Sequence, residues 1–86
     1  MEHVIDGSKW LSRREAHEEI ARAMEFPSFY GCNLDALFDM LSTDEGHARI
    51  VNAAFAINTL GAYGLSIIKT FFDAAEKNKR FTFVLE

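Results

Sequence analysis

The stretch Phe26-Pro27-Ser28-Phe29-Tyr30-Gly31-Cys32-Asn33-Leu34-Asp35-Ala36-Leu37-Phe38-Asp39 is the most informative part of this chain. Its proline, the only one in the sequence, disfavours helix at the residue before it and so ends the helix that precedes. Two adjacent aromatics, a glycine and a cysteine then lead to Asn33, a good helix N-cap, because its side-chain oxygen can accept from an unsatisfied amide of the first turn. Beyond it, Leu34, Leu37, Phe38 and Leu41 fall at i, i+3, i+4 and i+7, an apolar stripe about 100° wide. Asp35 and Asp39 lie one turn apart on the adjacent face. The spacing predicts a helix that carries two carboxylates side by side, next to Phe38 and away from the core.

Charge singles out the same region. From Ala23 to Ala48 there are five carboxylates, Glu25, Asp35, Asp39, Asp44 and Glu45, and no lysine or arginine. The rest of the chain has 8 acids against 9 basic residues, so the formal charge of −4 is a local field beside a near-neutral remainder. Such a field steers basic partners and repels nucleic acid. The pI of 5.3 agrees with the absence of general nucleic-acid binding.

Eighty-six residues predict one small domain spanning 1–86. With 49% apolar residues and eleven aromatics it can build an efficient core. The single cysteine excludes an internal disulfide and any thiol-built metal cluster, and suits a reducing compartment. No basic stretch followed by an apolar run opens the chain, and no segment approaches the roughly 18 apolar residues of a membrane span. The expectation is a cytoplasmic protein with no membrane contact.

Working outward, Glu2–Asp6 is a strand candidate and Asp6-Gly7-Ser8 a turn. Ser12-Arg13-Arg14-Glu15 has the form of a capping box. The helix after it shows Ala16, Ile20, Ala23 and Met24 on one face and ends near Pro27. Ser42 to His47 is an acidic loop, Arg49 to Ala53 a buried strand, and Ala53 to Leu60 a short helix closed by Gly61. A last helix runs from about Gly64 to Asn78, with Leu65, Ile67, Ile68, Phe71, Phe72 and Ala75 apolar and Ser66, Lys69, Thr70, Asp73, Glu76 and Lys77 on the wet side. Arg80 to Leu85 is a final strand. This order favours an α/β fold with a small parallel sheet.

Several chemistries compete for the acidic pair. Acids in the first turn favour the helix dipole, which accounts for Asp35 but poorly for Asp39. A solvated acidic face is the plain alternative. An acid–base enzyme could be built on Asp35 and Asp39, but nothing in the sequence completes such a site, and a metal site using His47 or Asp44 matches no ligand spacing. Cys32 lacks a signature histidine partner, since His3, His17 and His47 are scattered and read as ordinary surface or half-buried residues. Of Phe29 and Tyr30, one is expected to be buried and the other to stand beside the acids as an interface anchor. Trp10, Phe71, Phe72, Phe81 and Phe83 read as core.

Pro27, Tyr30-Gly31, Asn33-Leu34-Asp35-Ala36-Leu37, Asp39 and Leu41 together resemble the barstar family, bacterial intracellular inhibitors of secreted ribonucleases. Val4-Ile5-Asp6-Gly7 and the end of the chain, Phe71-Phe72-Asp73-Ala74 through Phe81-Thr82-Phe83-Val84-Leu85, fit the family's first strand and its last helix and strand. The resemblance implies a three-stranded parallel sheet with helices packed against it. It also implies a non-catalytic inhibitor, or immunity protein, that needs no cofactor and plugs a barnase-type ribonuclease 1:1.

By position, Asp39 would take the place of a substrate phosphate, and Asp35 would meet an arginine or amides beside it. Phe29, where the family commonly has tyrosine, would cover the enzyme's catalytic imidazole. Gly31, Asn33 and Leu34 would contact through the loop and helix start, with Phe38 as apolar cover and Asp73 as a further acidic contact. The alternatives are a barstar-like module for a different basic partner or toxin nuclease and, less favoured, a small enzyme using Asp35 and Asp39.

Overall fold

The computed structural model describes residues 2–86. Strand β1 (Glu2–Asp6) runs through a short 3-10 turn, Gly7–Lys9, into helix α1 (Arg13–Met24). Helix α2 (Leu34–Leu41) precedes strand β2 (His47–Val51), and helices α3 (Ala53–Leu60) and α4 (Ala62–Lys77) precede strand β3 (Thr82–Leu85). The three strands lie in the order β1-β2-β3, and both pairings are parallel. The α/β sheet expected from the element order is therefore present.

Strand alternation explains which face is covered. His3, Ile5, Ala48 and Ile50 point inward and are buried, and Phe83 is half-buried. They join Ile20, Leu37, Leu41, Ile67 and Phe71 from α1, α2 and α4 in one core. The other face stays open. Val4, Arg49 and Val84 are in register there, and the two valines are exposed. A parallel sheet usually has both faces covered. Here Arg49 serves the open side, its guanidinium donating twice to Glu86 at 2.8 Å with Glu2 3.9 Å away.

Local chemistry sets the helix ends. The Ser12 side chain accepts from the Glu15 amide, which is the N-cap half of the capping box. Gly61 closes α3 and opens α4 with φ +56° and ψ −127°, a conformation that suits glycine, so the two helices join without a loop.

The structure moves several expected boundaries and faces. β2 begins two residues before Arg49 and ends at Val51, because Asn52 turns left-handed at φ +57° and stops the strand. α4 starts at Ala62 and ends at Lys77, one residue short of Asn78, and β3 begins at Thr82. Leu65 and Phe72, assigned to the core by helical spacing, are more than half exposed. Phe72 keeps an edge-to-face contact with the Phe83 ring of β3, centroids 4.8 Å apart. Thr70, placed on the wet side, is buried, and its hydroxyl donates to the Ser66 carbonyl.

The end of α2 is tied to the end of α4 by one side chain. Asn78, 6% exposed, donates from Nδ2 to the carbonyls of Leu41 (3.0 Å) and Asp44 (2.7 Å). Replacing Asn78 with Ala leaves both carbonyls without this donor. The expected cost is about 1–3 kcal/mol in urea unfolding, with loosening concentrated at Leu41–Gly46. A loss under about 0.5 kcal/mol would show that the tie carries no stability.

Candidate functional site

The loop between α1 and α2 is bent by its own residues. Glu25 ends α1 in the left-handed region at φ +60°. Pro27 accepts from the Tyr30 amide to close a turn, and Cys32 is again left-handed at φ +53°. Asn33 then caps α2, accepting from the Ala36 amide at 2.7 Å while its Nδ2 donates to the Gly31 carbonyl at 3.3 Å. Gly31 is confined by that cap, since a Cβ there would lie 3.2 Å from Asn33 Nδ2 and 3.4 Å from Ala36 Cβ.

Helix α2 follows the expected stripe. Leu37 and Leu41 are fully buried, whereas Leu34 and Phe38 are half-buried against the core. Asp35 and Asp39 are exposed, and neither forms an ion pair among the described residues. The rest of the acidic field is partly used at home. Asp44 accepts from the Gly46 amide, and Glu45 lies 3.2 Å from Arg80. Asp73 sits on α4 and pairs with Lys69 at 2.9 Å. One turn later on α4, Lys77 places its ammonium 5.3 Å from the centre of the Phe38 ring. The unpaired acids that α2 presents are therefore Asp35 and Asp39.

Phe29 is 82% exposed, the most exposed large apolar side chain among the described residues. With Tyr30, Gly31, Ala36, Asp39 and Met40 it lines a cleft of about 200 Å³. Its lining combines two aromatic residues, Phe29 and Tyr30, with the acidic residue Asp39. That lining suits a flat cationic group, such as an imidazolium or guanidinium, which can stack and pair at once. A second, shallower depression lies at the start of α2, lined by Asn33, Leu34, Asp35 and Tyr63. Tyr63 is a wall that sequence reasoning missed. It lies 28 positions after Asp35 in the sequence, in the first turn of α4.

Sequence reasoning also missed His17. It was expected to be an ordinary surface or half-buried histidine but has no exposed surface, and His3 is buried too. His17 Nδ1 is 2.7 Å from the Tyr30 hydroxyl, and its Nε2 is 2.7 Å from the Tyr63 hydroxyl. Phe26 packs on the Tyr30 ring, with centroids 4.9 Å apart. A neutral imidazole has one donor and one acceptor nitrogen, and hydroxyls can satisfy both. Burial pushes the His17 pKa down and the Tyr30 phenol up, so both groups stay neutral. The other two histidines bond elsewhere, His3 to the Ala23 carbonyl and His47 to Thr82 Oγ1. Among the described residues no group of three or more His, Cys, Asp or Glu side chains is placed to hold a metal, and no helix is long and apolar enough to cross a membrane.

The family model described as "Barstar (barnase inhibitor)" matches residues 1–86. A protein of Bacillus subtilis (strain 168) named "Putative ribonuclease inhibitor YrdF" is 30% identical over 87 residues, covering 96% of each chain. The chain belongs to the barstar family.

The buried imidazole gives stability a defined pH window. With the folded pKa lowered from 6.5, the unfolded chain takes up a proton more readily as pH falls below that value. Stability is thus expected to decline as pH drops from 6.5 through the folded pKa. The carboxylates held low, Asp6, Glu19 and Glu86, begin to act only below about 4.5. Urea unfolding between pH 5 and 8 checks this. The slope below pH 6.5 should be present in the natural protein and absent in His17→Gln, and an unchanged slope in the variant would assign it to other groups.

Proposed function

We propose that this member of the barstar family is a non-catalytic inhibitor, or immunity protein, of a barnase-type secreted ribonuclease. It acts from the cytoplasm as a single barstar-like domain over residues 1–86, in a 1:1 complex, without a cofactor. The observation that carries this reading is the pair of unpaired, exposed carboxylates on capped α2, with the exposed Phe29 lining the same cleft as Asp39.

The chemistry follows from what a ribonuclease site must contain. It binds a phosphodiester and therefore concentrates arginine, lysine and histidine. Asp39 would occupy the place of the substrate phosphate. Phe29 would lie over an imidazole held in the cleft, and Asp35 would take an arginine or main-chain amides beside it. Gly31, Asn33 and Leu34 would meet the enzyme through the loop and the helix start. Phe38 would serve as apolar cover at the margin.

Burying carboxylate against guanidinium gives strong charge-assisted hydrogen bonds. Because cap and core hold α2, little ordering entropy is lost on binding. Asp73 is a conditional contact, since it would have to release Lys69 to reach the enzyme. An enzymatic reading of Asp35 and Asp39 finds less support, because all three histidines are engaged elsewhere.

RNA cleavage by a barnase-type ribonuclease, titrated with this protein and with Asp39→Ala, tests the proposal. The natural protein should titrate the activity to zero at one equivalent. Asp39→Ala should remain folded and lose about 2–5 kcal/mol of binding, a range for which barnase-type complexes are themselves a source. The association rate should fall about tenfold or more between 50 and 500 mM salt. Absence of inhibition would turn the search to a different basic partner or toxin nuclease. A complex indifferent to both salt and Asp39→Ala would refute the acidic plug.

A further inference from the structure

The Phe29–Asp39 cleft accounts for one end of the face that α2 presents. The other end, around Asp35, has its own wall. Tyr63 is fixed from two directions. Its hydroxyl is bonded to the sealed Nε2 of His17, and the Arg13 guanidinium lies over its ring, 4.5 Å from the centroid. Arg13 itself has no ion pair among the described residues. Beside the fixed ring is a depression of about 510 Å³ lined by Asn33, Leu34, Asp35 and Tyr63, with the Asp35 carboxylate exposed. Tyr30, a wall of the first cleft, is held by the opposite nitrogen of the same imidazole.

We propose that the depression between Asp35 and Tyr63 is a second recognition subsite, with Tyr63 a contact residue and His17 the positioning residue that holds the tyrosine walls of both subsites. The proposal rests on the inhibitor reading given above and deepens it. The occupant of the second subsite is a guanidinium or ammonium side chain of the bound ribonuclease. It pairs with Asp35 and lays its apolar stem along Leu34 and the part of the Tyr63 ring that Arg13 does not cover, as long cationic side chains do on mixed surfaces. A purely structural tyrosine would need its hydroxyl bond to His17 but no open depression at its flank. A freely rotating surface tyrosine would have the depression but no buried bond. Tyr63 has both, which places a preorganised aromatic wall beside an unpaired acid.

Binding of a barnase-type ribonuclease to the natural protein, Tyr63→Ala, Asp35→Ala, Asp39→Ala and the two double variants Asp35→Ala/Tyr63→Ala and Asp39→Ala/Tyr63→Ala tests this. Tyr63→Ala should weaken binding about tenfold. Its effect should shrink by at least about threefold in the Asp35→Ala background and stay unchanged with Asp39→Ala, because only residues of one subsite couple strongly. A folded Tyr63→Ala that binds within twofold of the natural protein, or that loses affinity equally in both backgrounds, overturns the second subsite.

If Tyr63→Ala does not fold, Tyr63→Phe bears the test. Its ring remains but is released from His17, so a smaller loss should appear that vanishes with Asp35→Ala, and a loss that persists there overturns the proposal. His17→Asn, whose amide reaches the place of Nδ1 but not of Nε2, should reproduce Tyr63→Phe. His17→Gln, whose amide reaches the place of Nε2, should restore the coupling of Tyr63 to Asp35. Equal behaviour of the two amides would overturn the positioning role of His17. If the natural protein fails to bind the ribonuclease, the inhibitor reading falls and this inference with it. If it binds through Asp39 but is indifferent to Tyr63, only this inference falls.

Discussion

The arrangement of the loop and of the face that α2 presents depends on one sealed imidazole. His17 lies on α1, where it receives no solvent, and both its nitrogens bond hydroxyls brought by other elements, Tyr30 from the loop and Tyr63 from the first turn of α4. A buried polar group costs free energy unless it is satisfied, so the arrangement is most stable when all three residues are in place. That condition couples the conformation of the loop to the packing of two helices. The loop is bent by left-handed Glu25 and Cys32 and anchored by the Asn33 cap, and Tyr30 secures its middle from below.

Rigidity of this kind bears directly on recognition. A flexible acidic segment would have to be ordered on binding, which weakens the complex for the same set of contacts. Here the carboxylates of Asp35 and Asp39 extend from a helix capped at one end by Asn33 and tied at the other through Asn78 to α4. Local structure also separates the acids by role. Asp44, Glu45 and Asp73 have partners within the molecule, whereas Asp35 and Asp39 have no ion pair among the described residues. Of the five carboxylates between Ala23 and Ala48, only Glu45 has an ion pair among the described residues, and Asp35 and Asp39 are the two that α2 carries.

The fold was legible where chemistry is local. The Ser12 and Asn33 caps, the α2 stripe and the Gly61 stop all lie within one or two turns of the residues that specify them, and the structure has each of them. The parallel sheet followed from the alternation of elements. Distant contacts were not legible. His17 is buried because Tyr30 and Tyr63 from other elements close over it, and Thr70 is buried and Phe72 exposed against the expectation from helical spacing. The left-handed turn at Asn52 ended β2 earlier than its apolar composition suggested. Helical spacing placed Asp35 and Asp39 one turn apart on α2, but it left open which of Phe29 and Tyr30 would be exposed, and the structure exposes Phe29. Spacing could not place Tyr63 beside Asp35, because the two lie on different helices. The three histidines showed no pattern, yet a buried histidine within reach of two tyrosine hydroxyls is visible only in three dimensions.

The most direct test of the account is to locate the surface that meets a ribonuclease. Amide chemical shifts of the labelled protein should be followed while one equivalent of a barnase-type ribonuclease is added. The account predicts that the largest changes fall on Phe29–Asp39 and on Tyr63, with the open side of the sheet at Val4, Arg49 and Val84 unmoved. Changes centred on that open side, with α2 and its loop unaffected, would contradict it.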